Sequence, residues 1–577
     1  METHNYAEEF MTNWDGTQLF YRSWVPKIQT DKAVILFHRG HEHSGRLLEL
    51  VEKLALKDFA IFAWDSRGNG KSPGPRDYAE HFSIYAKDAN TFVNYISRKF
   101  KIPINNMVVI ANSVGGVIVS AWVHDYAPPI KALILAAPAF RIKLYVPFAI
   151  PLLRIGLKFG LIKYVTSYVK SKVLTHDKEE QDKFNNDPMI TKSISTNILI
   201  DCFDISKRII ADAGAIRIPT LILAAGSDWV VRLSAQKKFF NRLSSKIKEW
   251  EFYPKFYHAI FHEKEREAPI KRTREFIIKV FNTTQPLSTL VRADEEGYSK
   301  DCYDDIKKTT FNPIFQLNRL LLKTIGIFSK GIRLGWETGF DSGVTLNYVY
   351  DNKPQGFSII GRLIDVAYLE SIGWKGIRQR RVNIENMLSN VIDLLLRENM
   401  PINLFDIASG PGLYILNVLR EYSNKPVTAR LRDYSPLNIE EGKALAAEMK
   451  LENVNYEQAD AFNRDSYKNI TPKPTIAICS GLHELFPKNK PVLNSFKGIY
   501  ECMADGGYLI YTNQPWHPQQ EYIARVLTNR EGKPWIMRCR TQEEMDSLVR
   551  EAGFEKIDME IDQWGIFTVS LAKKKSH

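Results

Sequence analysis

Val108-Val109-Ile110-Ala111-Asn112-Ser113-Val114-Gly115-Gly116-Val117-Ile118-Val119 sets a serine between a β-branched apolar run and a second run of small and apolar residues. The pattern predicts a buried strand turning sharply into a buried helix, with the serine hydroxyl held up at the turn as a nucleophile elbow. Such a turn crowds the positions two before and two after the serine, so both must be small. Gly115 meets that demand fully and Ala111 nearly does, which makes the string G-x-S-x-G-like and not a full match. Taken alone, the string also fits an ordinary strand-to-helix turn, so its partners elsewhere in the chain have to decide.

Upstream, residues 14–24 read as a hairpin with Asp15-Gly16 as its turn signal, and Ala33 to Phe37 and Phe59 to Trp64 read as short buried strands. Met107 to Ile110, Ala132 to Ala136, Pro219 to Ala225 and Glu249 to Tyr253 continue the series, with helical patterns between. Buried strands alternating with helices predict a parallel sheet covered on both faces. The stretch 141–214 loses the strand rhythm and becomes helical and basic; Leu144 to Val165 is read as an amphipathic lid over an apolar pocket, able to touch a lipid surface. Asp228 and His258 each stand just past a strand end, giving the chain order Ser113, Asp228, His258 of an α/β-hydrolase triad. The histidine takes the serine proton, and the acid fixes the imidazole tautomer and stabilises the imidazolium.

On these residues, 10–280 resembles the monoacylglycerol lipase, lysophospholipase and serine aminopeptidase branch of the α/β-hydrolases. The matching pieces are Asp15-Gly16, His38 to Arg46, Asp65 to Ser72, Ser113 to Gly116, Asp228, His258, and Glu263 in the helix expected after the histidine. The resemblance implies an oxyanion hole made by the backbone N–H groups of Gly40 and Val114. Two positions depart from it. Arg39 stands where the family has glycine, either crowding the oxyanion loop or binding an anionic headgroup, and Asn112 replaces the usual histidine.

From about Asn282 to Asp305 the chain reads as a surface linker, and Phe311 to Ile332 as an amphipathic helix with Leu, Ile and Phe on one side. Residues 340–381 read as a helical extension, followed by a helix over about Val382 to Glu398. A new sheet then opens with Ile402-Asn403-Leu404-Phe405-Asp406-Ile407-Ala408-Ser409-Gly410-Pro411-Gly412, a strand ending in an acid and a glycine-rich turn. The glycines of the dinucleotide G-x-G-x-x-G fingerprint are not all present. Val427 to Leu431 ends at Asp433, placed to bind ribose hydroxyls, and Val454 to Gln458 leads to Asp460-Ala461. Thr475 to Cys479 ends at Ser480-Gly481-Leu482-His483-Glu484, and late strands fall at 506–511 and 565–572.

This succession resembles the class I S-adenosylmethionine-dependent methyltransferases over about 380–577, and the whole chain resembles a bacterial hydrolase–methyltransferase fusion family. The resemblance implies that Asp406, Gly410 and Gly412 cradle the methionine moiety, Asp433 the ribose, and Asp460 with Ala461 the adenine. For the acceptor, His483, Glu484 and Trp516 of the Asn513–Pro518 loop are the candidates, with the Met537–Arg540 segment. Methyl transfer needs mainly alignment and one general base, for which His483 and Glu484 are the candidates.

The expected organisation is an α/β chain. Residues 1–285 form an α/β-hydrolase with a cap at about 141–214, residues 286–335 a linker and amphipathic helix, and residues 336–577 a Rossmann-like methyltransferase with a helical extension. A chain of 577 residues exceeds one core, and 44% apolar with 25% charged residues describes a globular protein. Five cysteines without C-x-x-C spacing argue against a disulfide framework and a zinc site and fit a reducing cytoplasm. No secretory signal or membrane span is visible, so the expected place is the cytoplasm or the inner face of its membrane. The net charge of +12 suits anionic partners. No aromatic-basic RNA-binding motif accompanies it, so nucleic acid is not an expected partner. The expected activity is a serine ester hydrolase for lipid-like esters, touching a membrane through its cap, joined to a methyltransferase using S-adenosyl-L-methionine. A competing reading, resting on Ala111, Asn112 and Arg39, retires the hydrolase to a binding module and leaves methyl transfer as the only activity.

Overall fold

Runs such as Ala33–Phe37 and Ala60–Trp64 are buried along their whole length, because strands of a sheet covered on both faces have no solvent side. In the computed structural model, which describes residues 4–283, 289–308 and 312–575, the chain forms two compact units, Met1–Leu287 and Ser288–His577. The expected boundary at 285/286 falls outside the described residues.

In the first unit, strands β1 (His4–Thr12), β2 (Gln18–Pro26), β3 (Ala33–Phe37), β4 (Ala60–Trp64), β5 (Met107–Asn112) and β6 (Ala132–Ala136) build most of one sheet. A short antiparallel pair, β7 (Tyr164–Thr166) and β8 (Ser193–Ser195), belongs to the cap. β9 (Thr220–Ala225) and β10 (Lys248–Tyr253) complete the sheet in the order β1-β2-β4-β3-β5-β6-β9-β10. The hairpin β1–β2 is antiparallel, β2 runs antiparallel to β4, and the rest is parallel. This is the α/β-hydrolase sheet, and it sets the carboxyl ends of β5, β9 and β10 along one edge. Between β6 and β9 the cap inserts four α-helices, the longest being Thr196–Ala211.

The second unit holds β11 (Ile402–Asp406), β12 (Val427–Asp433), β13 (Val454–Gln458), β14 (Ile476–Cys479), β15 (Tyr508–Asn513), β16 (Phe554–Ile561) and β17 (Thr568–Lys574). Their order is β13-β12-β11-β14-β15-β17-β16, with β17 antiparallel to both neighbours. The strand order reverses between β11 and β14, and that switch point opens the crevice where such sheets take ligands.

Three expectations change here. The stretch read as a surface linker docks on the second unit: Ser299 and Asp294 are buried, Ser299 donating to Glu544 and Asp294 accepting from the Asn489 amide. The single amphipathic helix expected over 311–332 is two, Pro313–Thr324 and Lys330–Thr338, because Ser329 caps the Ile332 amide and restarts the helix. The helix expected from about 382 begins ten residues earlier, as Ile372–Arg397, and the preceding extension folds as separate helices Gly343–Asp351 and Ser358–Leu369.

Candidate active sites

In the first unit, Ser113 sits between β5 and the helix Val114–Tyr126 with φ +51° and ψ −114°, a left-handed backbone that serine adopts only under strain. The turn can close because Gly115 lacks a side chain: a Cβ there would lie 2.5 Å from the His38 carbonyl oxygen. Ser113 Oγ lies 2.7 Å from His258 Nε2, and His258 Nδ1 lies 2.8 Å from Asp228 Oδ2. The other oxygen of Asp228 accepts from the Val230 and Val231 amides at 2.7 and 2.9 Å. Burial opposes ionisation of Asp228, but His258 and these two amides outweigh it and hold the carboxyl below its usual range. Gly40 and Val114 lie beside the serine, packed so closely that a Cβ on Gly40 would lie 3.0 Å from Val114 Cγ2.

A cavity of about 120 Å³ opens over Ser113 and His258, roofed by cap residues Val165, Leu199 and Ile194. Arg39 borders it but is turned onto Glu42, with Nε 2.9 Å from Oε2 and a second bond between Nη2 and Oε1. Burial opposes ionisation of Glu42, yet Arg39 holds its pKa down to about 2. Asn112 donates to the Phe37 carbonyl across the sheet. Glu263 does not lie in a helix; it follows the 3-10 turn Ile260–His262 and accepts from the Tyr257 and His176 amides, joining the histidine loop to the cap.

In the second unit a cavity of about 910 Å³ opens at the switch point, near the upper end of ordinary ligand pockets. Gly410, Gly412, Asp433, Asp460 and Ala461 all line it. Gly410 and Gly412 adopt φ +58° and +78°, and nothing lies within 4 Å of a Cβ built on Gly410, so the turn presents bare backbone to a ligand. Asp433 Oδ2 accepts from the Gly410 amide at 2.9 Å, and its Oδ1 from the Ser435 amide and Asn438. Oδ1 is thus filled by its two donors, while Oδ2 keeps a lone pair with which the carboxylate could take a ribose hydroxyl. Asp460 accepts from the Phe462 amide at 2.9 Å. Asp406 differs from expectation: it is fully buried behind the cavity wall, closed off by the Ala408 amide and the Tyr414 hydroxyl. Burial pushes its pKa up to about 7, against the lowering by Tyr414. It supports the glycine turn and does not itself line the chamber.

The acceptor candidates separate. Glu484 lines the cavity, its Oε1 accepting from Thr512 at 2.6 Å while Oε2 is buried without a partner. His483 does not line it: the imidazole packs inside, 2.7 Å from Ser495 Oγ, and burial lowers its pKa to about 3. Trp516 is not in the wall either; its loop contributes Gln514 and His517 instead. Of the 537–540 segment only Met537 reaches the cavity, because Arg538 and Arg540 turn inward to Glu544 and Asn489. Sequence reasoning missed Arg380. It is buried beside Glu484 (3.8 Å) and over the Phe567 ring, with its Nε unpartnered. Among the described residues no His, Cys, Asp and Glu group is arranged to hold a metal, and no helix is long and apolar enough to cross a membrane.

Residues 28–265 match the family described as "Serine aminopeptidase, S33", and residues 273–574 the family described as "Putative methyltransferase". The protein YnbC of Escherichia coli (strain K12) is 44% identical over 582 residues, which cover 99% of each chain. The chain belongs to this hydrolase–methyltransferase family. The monoacylglycerol lipase of Mycolicibacterium smegmatis is 23% identical over 47% of this chain and 97% of its own length. The crystal structure of Paleococcus ferrophilus monoacylglycerol lipase covers 48% of this chain and 99% of its own, with 22% identity and a TM-score of 0.40. The first unit therefore carries a hydrolase-family domain and the second a domain of the methyltransferase family, and the latter implies a methyl-donor cofactor.

Proposed function

We propose that the first unit is a serine hydrolase for lipid-like esters of the monoacylglycerol or lysophospholipid type, and that the second transfers a methyl group from S-adenosylmethionine. The observation that carries the first reading is the continuous chain Ser113 Oγ, His258, Asp228 beneath an apolar cap. Ser113 Oγ attacks the acyl carbonyl while His258 Nε2 takes its proton; Asp228 steadies the imidazolium, and the Gly40 and Val114 amides receive the developing oxyanion. His258 returns the proton to the leaving alcohol, and water activated by the same base releases the acid. The cap exposes Phe148, Phe159 and Leu161 with Lys158 and Lys163 among them, which suits peripheral contact with a lipid surface. A fluorophosphonate probe should label the protein and fail to label Ser113→Ala; labelling that survives the substitution would sink the triad.

S-adenosylmethionine supplies an electrophilic methyl group when bound. Asp433 and Asp460 with the 410–412 turn would hold its nucleoside and amino-acid ends, and Asp406 would steady that turn from behind. Glu484 is the base candidate that the geometry favours, since its free oxygen belongs to a cavity-lining side chain. Titration calorimetry should show cofactor binding that Asp433→Ala weakens at least about tenfold, as loss of a charged hydrogen-bond acceptor predicts. The intact protein failing to bind the cofactor would refute this half.

A further inference from the structure

Two helices of the second unit turn their apolar stripes outward. Apolar residues at i, i+3 or i+4, and i+7 normally face a core. In Pro313–Thr324 that stripe is Ile314, Leu317 and Leu321, and in Ser358–Leu369 it is Ile359, Leu363 and Val366; all six are exposed, Ile359 to 80% and Ile314 and Leu363 to 65%. Exposed residues of one turn lie between the stripes. The 3-10 turn Gly326–Phe328 touches the second helix at its start, where the Phe357 amide donates to the Phe328 carbonyl at 2.8 Å, and Ile325, Ile327 and Phe328 are themselves exposed.

Charge distinguishes what covers this face. Between Asn312 and Gly335 the ionisable residues are Arg319, Lys323, Lys330 and Arg333, with no carboxylate; between Asn352 and Ile364 they are Lys353 and Arg362, again with none. Lys323 lies over the Trp336 ring at 5.1 Å and Arg333 over Phe357 at 4.4 Å, so their stems run along apolar surface with the cations at its margin. Glu337, 3.9 Å from Arg333, and the exposed Asp351 are the carboxylates at this margin, so the rim is cationic on balance, and an apolar face with such a rim matches the interfacial layer of a membrane carrying anionic headgroups. The same elements also wall the large cavity through Leu322, Ile332, Ile364 and Ala367.

We propose that this face docks the protein on an anionic phospholipid bilayer and that the methyl acceptor is a lipid entering the cavity from it. The second clause rests on the methyl-transfer reading; the first does not. The full chain is floated with phosphatidylcholine vesicles and with vesicles containing phosphatidylglycerol. The work is done in a background carrying Phe148→Glu, Phe159→Glu and Leu161→Glu, so that the hydrolase cap does not contribute. Binding to the anionic vesicles is expected, weakened by salt, and reduced about tenfold by Ile359→Glu, Ile360→Glu and Leu363→Glu together. These side chains are exposed, and unchanged S-adenosylmethionine affinity and melting verify the fold. Equal flotation of both variants overturns the docking, as does flotation indifferent to anionic lipid. A face whose substitution instead splits a dimer into monomers, seen by light scattering, is a self-association surface and also overturns it. Labelled methyl from the cofactor is then followed into an added bacterial lipid extract. Label in lipid supports the entry route. Docking and cofactor binding without labelled lipid overturn that clause alone, whereas failure to bind cofactor overturns the methyl-transfer reading beneath it.

Discussion

Ser113 is strained by its left-handed backbone, and the strain is tolerable only because Gly115 lets the helix approach the His38 carbonyl. Gly115→Ala should therefore cost about 1–3 kcal/mol of stability, read from denaturant unfolding, and lower ester turnover with it. Asp228→Asn keeps the shape but removes the charge that fixes the imidazole tautomer, so kcat on p-nitrophenyl esters should fall roughly 10³–10⁴-fold with little change in melting. Asp406 gives a pH prediction. Its folded pKa of about 7 lies above the ordinary carboxylate value, so the folded state holds a proton that the unfolded chain has released. Stability of the cofactor-free second unit should fall as pH rises from about 4 to about 7, by at most about 4 kcal/mol for this group. Asp406→Asn should flatten that slope in urea titrations; identical slopes would place the effect on other groups.

At the scale of elements, Asp365 ties the helical extension together. Fully buried, it accepts from Ser329 Oγ at 2.5 Å, the Gly331 amide at 3.0 Å and the Gln355 amide at 2.8 Å, and bonds the Tyr348 hydroxyl. Three helices and a loop thus share one carboxylate. Asp365→Ala leaves several buried donors unmet and should cost on the order of 3 kcal/mol or more, seen as earlier proteolysis between residues 325 and 370 than elsewhere in the chain. The hydrolase cap offers the contrasting case, where an element's exposed face is dispensable for folding. Phe148→Ser with Phe159→Ser should leave turnover of a short soluble ester intact and lower turnover of long-chain esters presented in vesicles. Equal losses on both substrates would assign those side chains to the pocket instead.

At the scale of the molecule, each unit closes its own core. One centres on Val34, Ile110, Leu221 and Ile277, and others on Leu404, Ile478 and Ile510 and on Phe405, Phe496 and Leu548. Ser113→Ala should abolish probe labelling while leaving cofactor affinity unchanged, and Asp433→Ala should do the reverse.

The central strands of both sheets were legible because they are short, largely apolar and separated by turn residues, a local pattern that needs no partner to be read, whereas the edge strands β1 and β16 carry charged residues along their length. The glycine turn at 410–412 and the order Ser113, Asp228, His258 were legible for the same reason: chain order and residue type carry them. The sequence alone determined which residues stand at strand ends. What only the tertiary structure decided is which polar side chains face a cavity and which are satisfied inside. His483 and Glu484 are adjacent in sequence, yet one packs against Ser495 and the other lines the chamber. Arg380 reads as surface charge beside Arg378 and Arg381, yet lies buried, and the stripe of Pro313–Thr324 reads as a core face, yet is exposed. Periodicity fixes which residues share a face of an element, but the side to which that face turns is set by the elements packed against it, and those come from distant parts of the chain.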